Sequence, residues 1–128
     1  MNKERYIRNK WCKMWVDEDI LYITYFKNTI IDLAAAEKVL EDRLSISEGK
    51  SYLIQGDCRG VKYWTRQARE FQSTEQNNRL VKAGTVIYTE HYVLNVICNF
   101  FLKFNKLWVP TKFFCNEKEA LEWLEKYR

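Results

Sequence analysis

Proline and glycine are scarce in this chain, with one proline and four glycines among 128 residues. That composition excludes collagen-like and Pro/Gly-rich disordered chains and leaves little material for long loops. No Gly-, Ser- or Pro-rich linker divides the sequence and no internal repeat is visible, so one domain covering 1–128 is expected. Histidine is scarcer still, with His91 alone. Cys12, Cys58, Cys98 and Cys115 form no CxxC or other short ligand spacing. A zinc site needs several such ligands to converge, so no metal is expected and the thiols read as reduced and buried. Long apolar runs are missing too. The most apolar segment, VLNVICNFFLKF, is interrupted by Asn95, Asn99 and Lys103, and is too short and too polar to span a bilayer. MNKERYIRNK lacks the apolar core of a secretory signal. A cytoplasmic protein with no membrane span is therefore expected. The chain also lacks a P-loop, a dinucleotide-binding glycine fingerprint and a Gly-x-Ser-x-Gly elbow.

What is present is core material. Hydrophobic residues make up 47% and charged residues 30%, which suits a globular domain burying about two-thirds of its unfolded surface. The net charge is +4, with basic residues mildly concentrated in KERYIRNK and RGVKYWTRQAR. Mixed-sign surfaces of this kind are ordinarily solvated faces. The second stretch interleaves basic and aromatic residues without any recognisable nucleic-acid motif, so no nucleic-acid partner is expected.

WCKMWV (11–16) and ILYITYF (20–26), split by Asp17-Glu18-Asp19, predict a β-hairpin. Alternation puts Trp11, Lys13 and Trp15 on one face and Cys12, Met14 and Val16 on the other. Asp32 is placed to cap a helix from Leu33 to about Leu44, with Leu33, Ala36, Leu40 and Leu44 as its apolar stripe and Val39 beside it. Glu37, Lys38, Glu41 and Asp42 fall outside that stripe. Ser47-Glu48-Gly49 supplies the stop. SYLIQGD (51–57) and VKAGTVIYT (81–89) read as strands, the first a parallel strand buried on both faces. Thr65 is a fitting N-cap for a short helix carrying Ala68 and Phe71 inward. A longer helix is expected over 92–104. Asn95, Asn99, Lys103 and Lys106 would form its one polar stripe, and its apolar face is wider than one sheet contact requires. It reads as a deeply buried helix, a dimer face or the wall of an apolar pocket. PTKFFC then makes a short last strand, and Asn116 with Glu119 opens a final helix carrying Ala120, Leu121, Trp123, Leu124 and Tyr127. The order ββαβαβαβα predicts an α/β fold with a mixed, mostly parallel five-stranded sheet and four helices.

LIQGDCRGVKYWTRQAREF, 53–71, draws attention because loops at the carboxyl ends of strands carry function in open α/β sheets. Asp57 and Arg59 suit a mutual pair or a cap for loop amides. Cys58 is the best nucleophile candidate, but no paired base is identifiable and Asp57 would oppose its thiolate. His91 reads as a helix-start residue. No catalytic residue and no cofactor are assigned, and the chain is not expected to be an enzyme.

GDCRGVKYWTRQAREF (56–71), NFFLKFNKLWVPTKFF (99–114) and NEKEALEWL (116–124) resemble the STAS-like, SpoIIAA-like, anti-sigma-factor-antagonist-like group of uncharacterised bacterial proteins, seen largely in Bacteroidetes. The resemblance covers nearly the whole chain. It implies a STAS fold and a non-enzymatic regulatory module that binds a protein partner, such as a kinase or a sigma-factor regulator, or a second copy of itself. In better-understood STAS proteins, a serine at a helix N-terminus after an Asp-Ser-Ser-Gly loop is phosphorylated. Here Tyr63-Trp64-Thr65-Arg66 stands at that place and Asp-Ser-Ser-Gly is absent. Thr65 is thus either a switch, with Arg66 and Arg69 beside it, or a plain N-cap. The expected regulatory surface is Asp57, Cys58, Arg59, Thr65, Arg66 and Arg69. The alternative is a small apolar, lipid-like ligand held by Trp64, Ile97, Phe100, Phe101, Phe104 and Trp108.

Overall fold

The structure is a computed structural model that describes residues 5–88, 99 and 108–128. The expected hairpin is present as β2 (Cys12–Asp17) and β3 (Ile20–Tyr25), antiparallel, with Met14 opposite Ile23 and Val16 opposite Leu21. Cys12, Met14 and Val16 are all buried, as their alternation predicts. Glu18 turns the hairpin at φ 55.

A first strand, β1 (Tyr6–Arg8), pairs antiparallel with β2 at the edge. Beyond β3, the strands β5 (Tyr52–Asp57), β7 (Val81–Ile87) and β8 (Thr111–Phe114) join in parallel. The main sheet is therefore six-stranded, in the order β1-β2-β3-β5-β7-β8. The five strands expected from sequence are one too few. Tyr6–Arg8 lies inside a charged run with no apolar alternation, and only its pairing with β2 makes it a strand.

A second correction concerns the connections. β4 (Thr29–Ile31) and β6 (Val61–Trp64) pair in parallel as a separate two-stranded sheet. The loop expected over 57–65 thus shrinks to 58–60. Both strands are too short for periodicity to reveal them.

Among the described residues there are three α-helices: α1 (Leu33–Ser47), α2 (Arg66–Gln72) and α3 (Glu117–Leu124). The fourth expected helix, over 92–104, falls outside the described residues apart from Asn99. Each helix opens on the expected cap. The Asp32 side chain accepts from the Ala35 amide at 2.8 Å, Thr65 from Ala68 at 3.2 Å and Asn116 from Glu119 at 3.0 Å. α1 runs three residues past the predicted end and closes through Glu48 at φ 50 and Gly49 at φ 79.

Sheet pleating sends neighbouring residues to opposite layers. Leu21, Ile23 and Tyr52 pack with Ala35, Ala36, Val39, Ile46 and Ala68 of α1 and α2. Ile20, Leu53 and Ala83 pack with Leu124 of α3, while Ile87 and Phe114 pack with Ala120. The central strand β5 is buried from both sides, which is why its sequence reads as an apolar run.

One polar residue of α1 departs from the amphipathic reading. Asp42 is buried, taking a hydrogen bond from Asn9 at 2.8 Å and an ion pair from Lys38 at 3.2 Å. Asn9 in turn accepts from the Trp11 and Cys12 amides, each at 2.9 Å, so this network ties the β1–β2 turn to α1. Arg43 is also buried and donates to the carbonyls of Asn77 and Arg79, each at 2.9 Å. Asn99 does not simply face water. Its side chain exchanges two 2.8 Å hydrogen bonds with the Phe113 backbone, acting as a surrogate strand neighbour for β8.

Candidate functional site

β5 is an inner strand of the parallel set, and Asp57 is its last residue, in register with Thr24 on one side and Ile87 on the other. The chain then turns sharply. The Cys58 amide donates to the Ile87 carbonyl at 2.8 Å, and the Val61 amide returns to the Cys58 carbonyl at 3.1 Å. Gly60 makes this return possible. A Cβ built there would lie 2.7 Å from the carbonyl oxygens of both Tyr25 and Phe26, so backbone would have to move. Gly60→Ala is therefore expected to lower stability by about 1–3 kcal/mol, as overpacking against fixed neighbours does. Urea denaturation checks it, and an unchanged midpoint would show that the turn is not held against β3.

Within the turn, Asp57 and Arg59 lock together. The Asp57 Oδ1 accepts from the Arg59 amide at 3.1 Å and from its Nε at 3.0 Å, while Oδ2 takes Nη2 at 2.7 Å. The bidentate match fixes the guanidinium plane. Nη2 also reaches Glu117 of α3 at 3.5 Å, so Arg59 links the central turn to the start of the last helix. Partly exposed pairs of this kind add little stability, but they hold the loop in one shape.

Cys58 sits against the core cluster beside Tyr25. Burial first, then the Asp57 carboxylate, pushes its thiol up to about 12, far from the low value an activated thiolate needs. Arg59, which could have lowered it, is turned onto Asp57 instead. Cys12 is likewise held up at about 12, mainly by burial.

Thr65 is half-buried, and its amide, carbonyl and hydroxyl are all used in folding. Its hydroxyl caps α2, and its amide donates to the Ile31 carbonyl at 2.9 Å, extending the β4·β6 pairing into the helix start. The arginines flanking Thr65 already have partners. Arg66 pairs with Glu70 at 3.0 Å with its side chain 85% exposed, and Arg69 donates to the Trp64 carbonyl at 2.7 Å. Trp64 itself packs inward, edge-on to Tyr25 with ring centroids 5.5 Å apart.

The residues expected to line an apolar pocket are not gathered by the described structure. Trp64 lies in the core layer of α1 and α2. Trp108 is exposed and donates its indole N–H to the Ser73 carbonyl at 2.9 Å. It borders an open cleft with Glu75, Gln76, Asn78, Arg79 and Val109. Ile97, Phe100, Phe101 and Phe104 lie outside the described residues, as do His91 and Cys98. Among the described residues no group of three or more His, Cys, Asp or Glu is placed to hold a metal, and no helix is long and apolar enough to cross a membrane. What sequence reasoning missed is the pair β4·β6, which delivers Thr65 to its place and carries exposed Ile30 and Tyr63.

The family described as "Domain of unknown function (DUF7793)" matches residues 14–128, a span that begins within β2. A solved structure from Shewanella loihica PV-4, described as an uncharacterized protein of the DUF3478 family with a SpoIIAA-like fold, is similar to this chain with a TM-score of 0.61 and 15% identity. The match covers 92% of this chain and 98% of that one. At this identity the likeness speaks to the fold alone, and the fold is SpoIIAA-like, as the resemblance drawn from the sequence implies. No curated protein matches the chain.

Proposed function

We propose that this chain, which belongs to the DUF7793 family by its match over 14–128, works as a non-enzymatic protein-interaction module. Its contact surface is the turn 58–60 together with Arg59 and the start of α2 at Thr65. The observation that supports this most directly is the Asp57–Arg59 clamp. It commits the charged groups of the turn to holding one shape, and it leaves Cys58 as a neutral thiol beside Tyr25. A fixed, charged surface at the carboxyl edge of the sheet suits docking of a preorganised partner.

Thr65 is the natural point of regulation on this surface. A phosphate there would bring about two negative charges to the start of α2, where Arg66 and Arg69 could leave Glu70 and the Trp64 carbonyl to meet it. The same modification would remove the hydroxyl from its capping role in its present geometry. Thr65→Asn keeps a cap, Thr65→Glu adds charge, and Arg59→Ala releases the clamp.

Partner capture from the native host with these three variants, alongside intact-mass analysis of the native protein, tests the reading. We expect Arg59→Ala to weaken retention of a specific partner about tenfold and Thr65→Glu to change which partner is retained. A protein never modified at Thr65, whose partners ignore Thr65→Glu, would remove the switch. Partner sets insensitive to all three variants would remove the module itself. The alternative of a small apolar, lipid-like ligand rests on Trp64 and Trp108, of which Trp108 borders a cleft, and on Ile97, Phe100, Phe101 and Phe104, which lie outside the described residues.

A further inference from the structure

We infer that the two-stranded sheet β4·β6 is a second docking element of this surface, built to receive an extended segment of a partner protein that alternates apolar and acidic residues. This inference rests on the interaction reading above and names the chemistry of the partner.

The pair has an inner and an outer side. Ile31, in register with Trp64, is fully buried in the core. Ile30 stands directly opposite Tyr63, and these two side chains are 53% and 56% exposed. Singly exposed apolar residues are ordinary on protein surfaces. Two large ones in register, each more than half in water, make a continuous apolar step. Each of the two strands has a single strand neighbour among the described residues, so among them each has one unpaired edge. Open edges beside exposed apolar side chains are the features that strand addition by a peptide uses.

The charge around the step has one dominant sign. Lys27 and Lys62 are exposed, and neither has an ion-pair partner among the described residues. Lys62 falls at the register shift of the pair, between Val61 and Tyr63. Arg66 stands two residues beyond Trp64 with its side chain 85% exposed. The one carboxylate in 27–32 and 61–66 is Asp32, and it is occupied as the cap of α1. An apolar step with Lys27 just before β4, Lys62 in β6 and Arg66 just after it, against which Glu70 alone is set, complements apolar side chains spaced by Asp or Glu.

The test is selection of displayed random short peptides on the folded protein, followed by binding measurements with the synthetic peptides that emerge. The expected winners alternate Val, Ile, Leu or Phe with Asp or Glu. They lose about tenfold in affinity on Tyr63→Asp or Ile30→Asp, and severalfold on Lys62→Glu. Should an Asp variant fold poorly by circular dichroism, the double variant Ile30→Thr, Tyr63→Thr keeps strand propensity and gives the same readout. Failure to enrich any peptide, winners without acidic residues, or winners that bind the double variant as well as wild type would each overturn the inference. A native partner that depends on Arg59 or Thr65 but is indifferent to Ile30 and Tyr63 would also overturn it, while leaving the module reading in place.

Discussion

Replacing Arg43 by alanine is expected to lower the unfolding free energy by about 3–5 kcal/mol, a large share of the roughly 5–15 kcal/mol of a domain this size. The guanidinium is 5% exposed and donates two 2.9 Å hydrogen bonds to the Asn77 and Arg79 carbonyls. Those carbonyls lie in the connection from α2 to β7, where the short 3₁₀ turn Gln76–Asn78 precedes Leu80 at φ 62. Removing the donor strands two acceptors at about 1–3 kcal/mol each and leaves a void beside α1. The charged form is itself expensive to bury, since desolvation lowers the Arg43 pKa to about 10. Arg43→Met avoids both that expense and the void while still stranding the carbonyls. The losses should therefore rank alanine first and methionine second, with lysine smaller again if its ammonium reaches one carbonyl. Urea denaturation gives the ranking, and hydrogen exchange should place the added opening at 76–80. A methionine variant as stable as wild type would mean that the two carbonyls find water at no cost.

Arg43 also marks the boundary of what the sequence can reveal. The hairpin, the central strand and the three caps are all local patterns. Alternation over a few residues, or one Asp, Thr or Asn before an apolar run, decides each of them. The partners of Arg43 lie more than thirty residues away, and Asp42 finds Asn9 across a similar gap. Helical periodicity puts Asp42 outside the apolar stripe and Arg43 beside Val39 and Leu40, but it cannot name the partner of either because it sees only the helix. β1, β4 and β6 were hidden for a related reason. Each spans three or four residues, and each becomes a strand only through a neighbour that another part of the chain supplies.

The candidate site divides along the same line. That Asp57 and Arg59 would stand at the carboxyl end of the central strand follows from element order, and that Thr65 would open α2 follows from one cap, but the strand β6 lies between them. The Asp57–Arg59 pair and an unactivated Cys58 follow from the residue types alone, whereas the reach of Arg59 to Glu117 depends on where α3 begins. The exposed step of Ile30 and Tyr63 depends on β4 and β6 meeting in register. In the sequence, Ile30 reads as half of an apolar pair with Ile31, and nothing local says which of the two points outward.

The same burial that quiets Cys58 predicts a marked loss of stability in alkali. Cys12 and Cys58 are each raised from 9.0 to about 12 in the folded chain, and Tyr25 between them is raised well above 10.0. For a group whose folded pKa lies above its unfolded one, the stabilisation is complete below the unfolded value and is lost as pH rises toward the folded one. The unfolded thiols release protons from pH 9.0 upward while the folded ones keep theirs, so unfolding is increasingly favoured. One unit above the unfolded value costs about 1.4 kcal/mol per thiol, or about 3 kcal/mol for the two together near pH 10. Tyr25 adds to the loss above that point. Arg43 runs the other way, because its folded pKa is lowered to about 10 against 12.5 unfolded, so it begins to offset the loss only from about 10 upward. The clean window is thus the first unit above 9.0. Urea midpoints measured at pH about 8 and about 10 should fall steeply for wild type. The fall should be about half as large for Cys58→Ala or Cys12→Ala and nearly absent for the double variant, whatever cavity cost shifts their baselines. A double variant that kept the full alkaline loss would place its origin elsewhere. It would also reopen Cys58 as an accessible thiol, the one role at this turn that its packing against Tyr25 argues against.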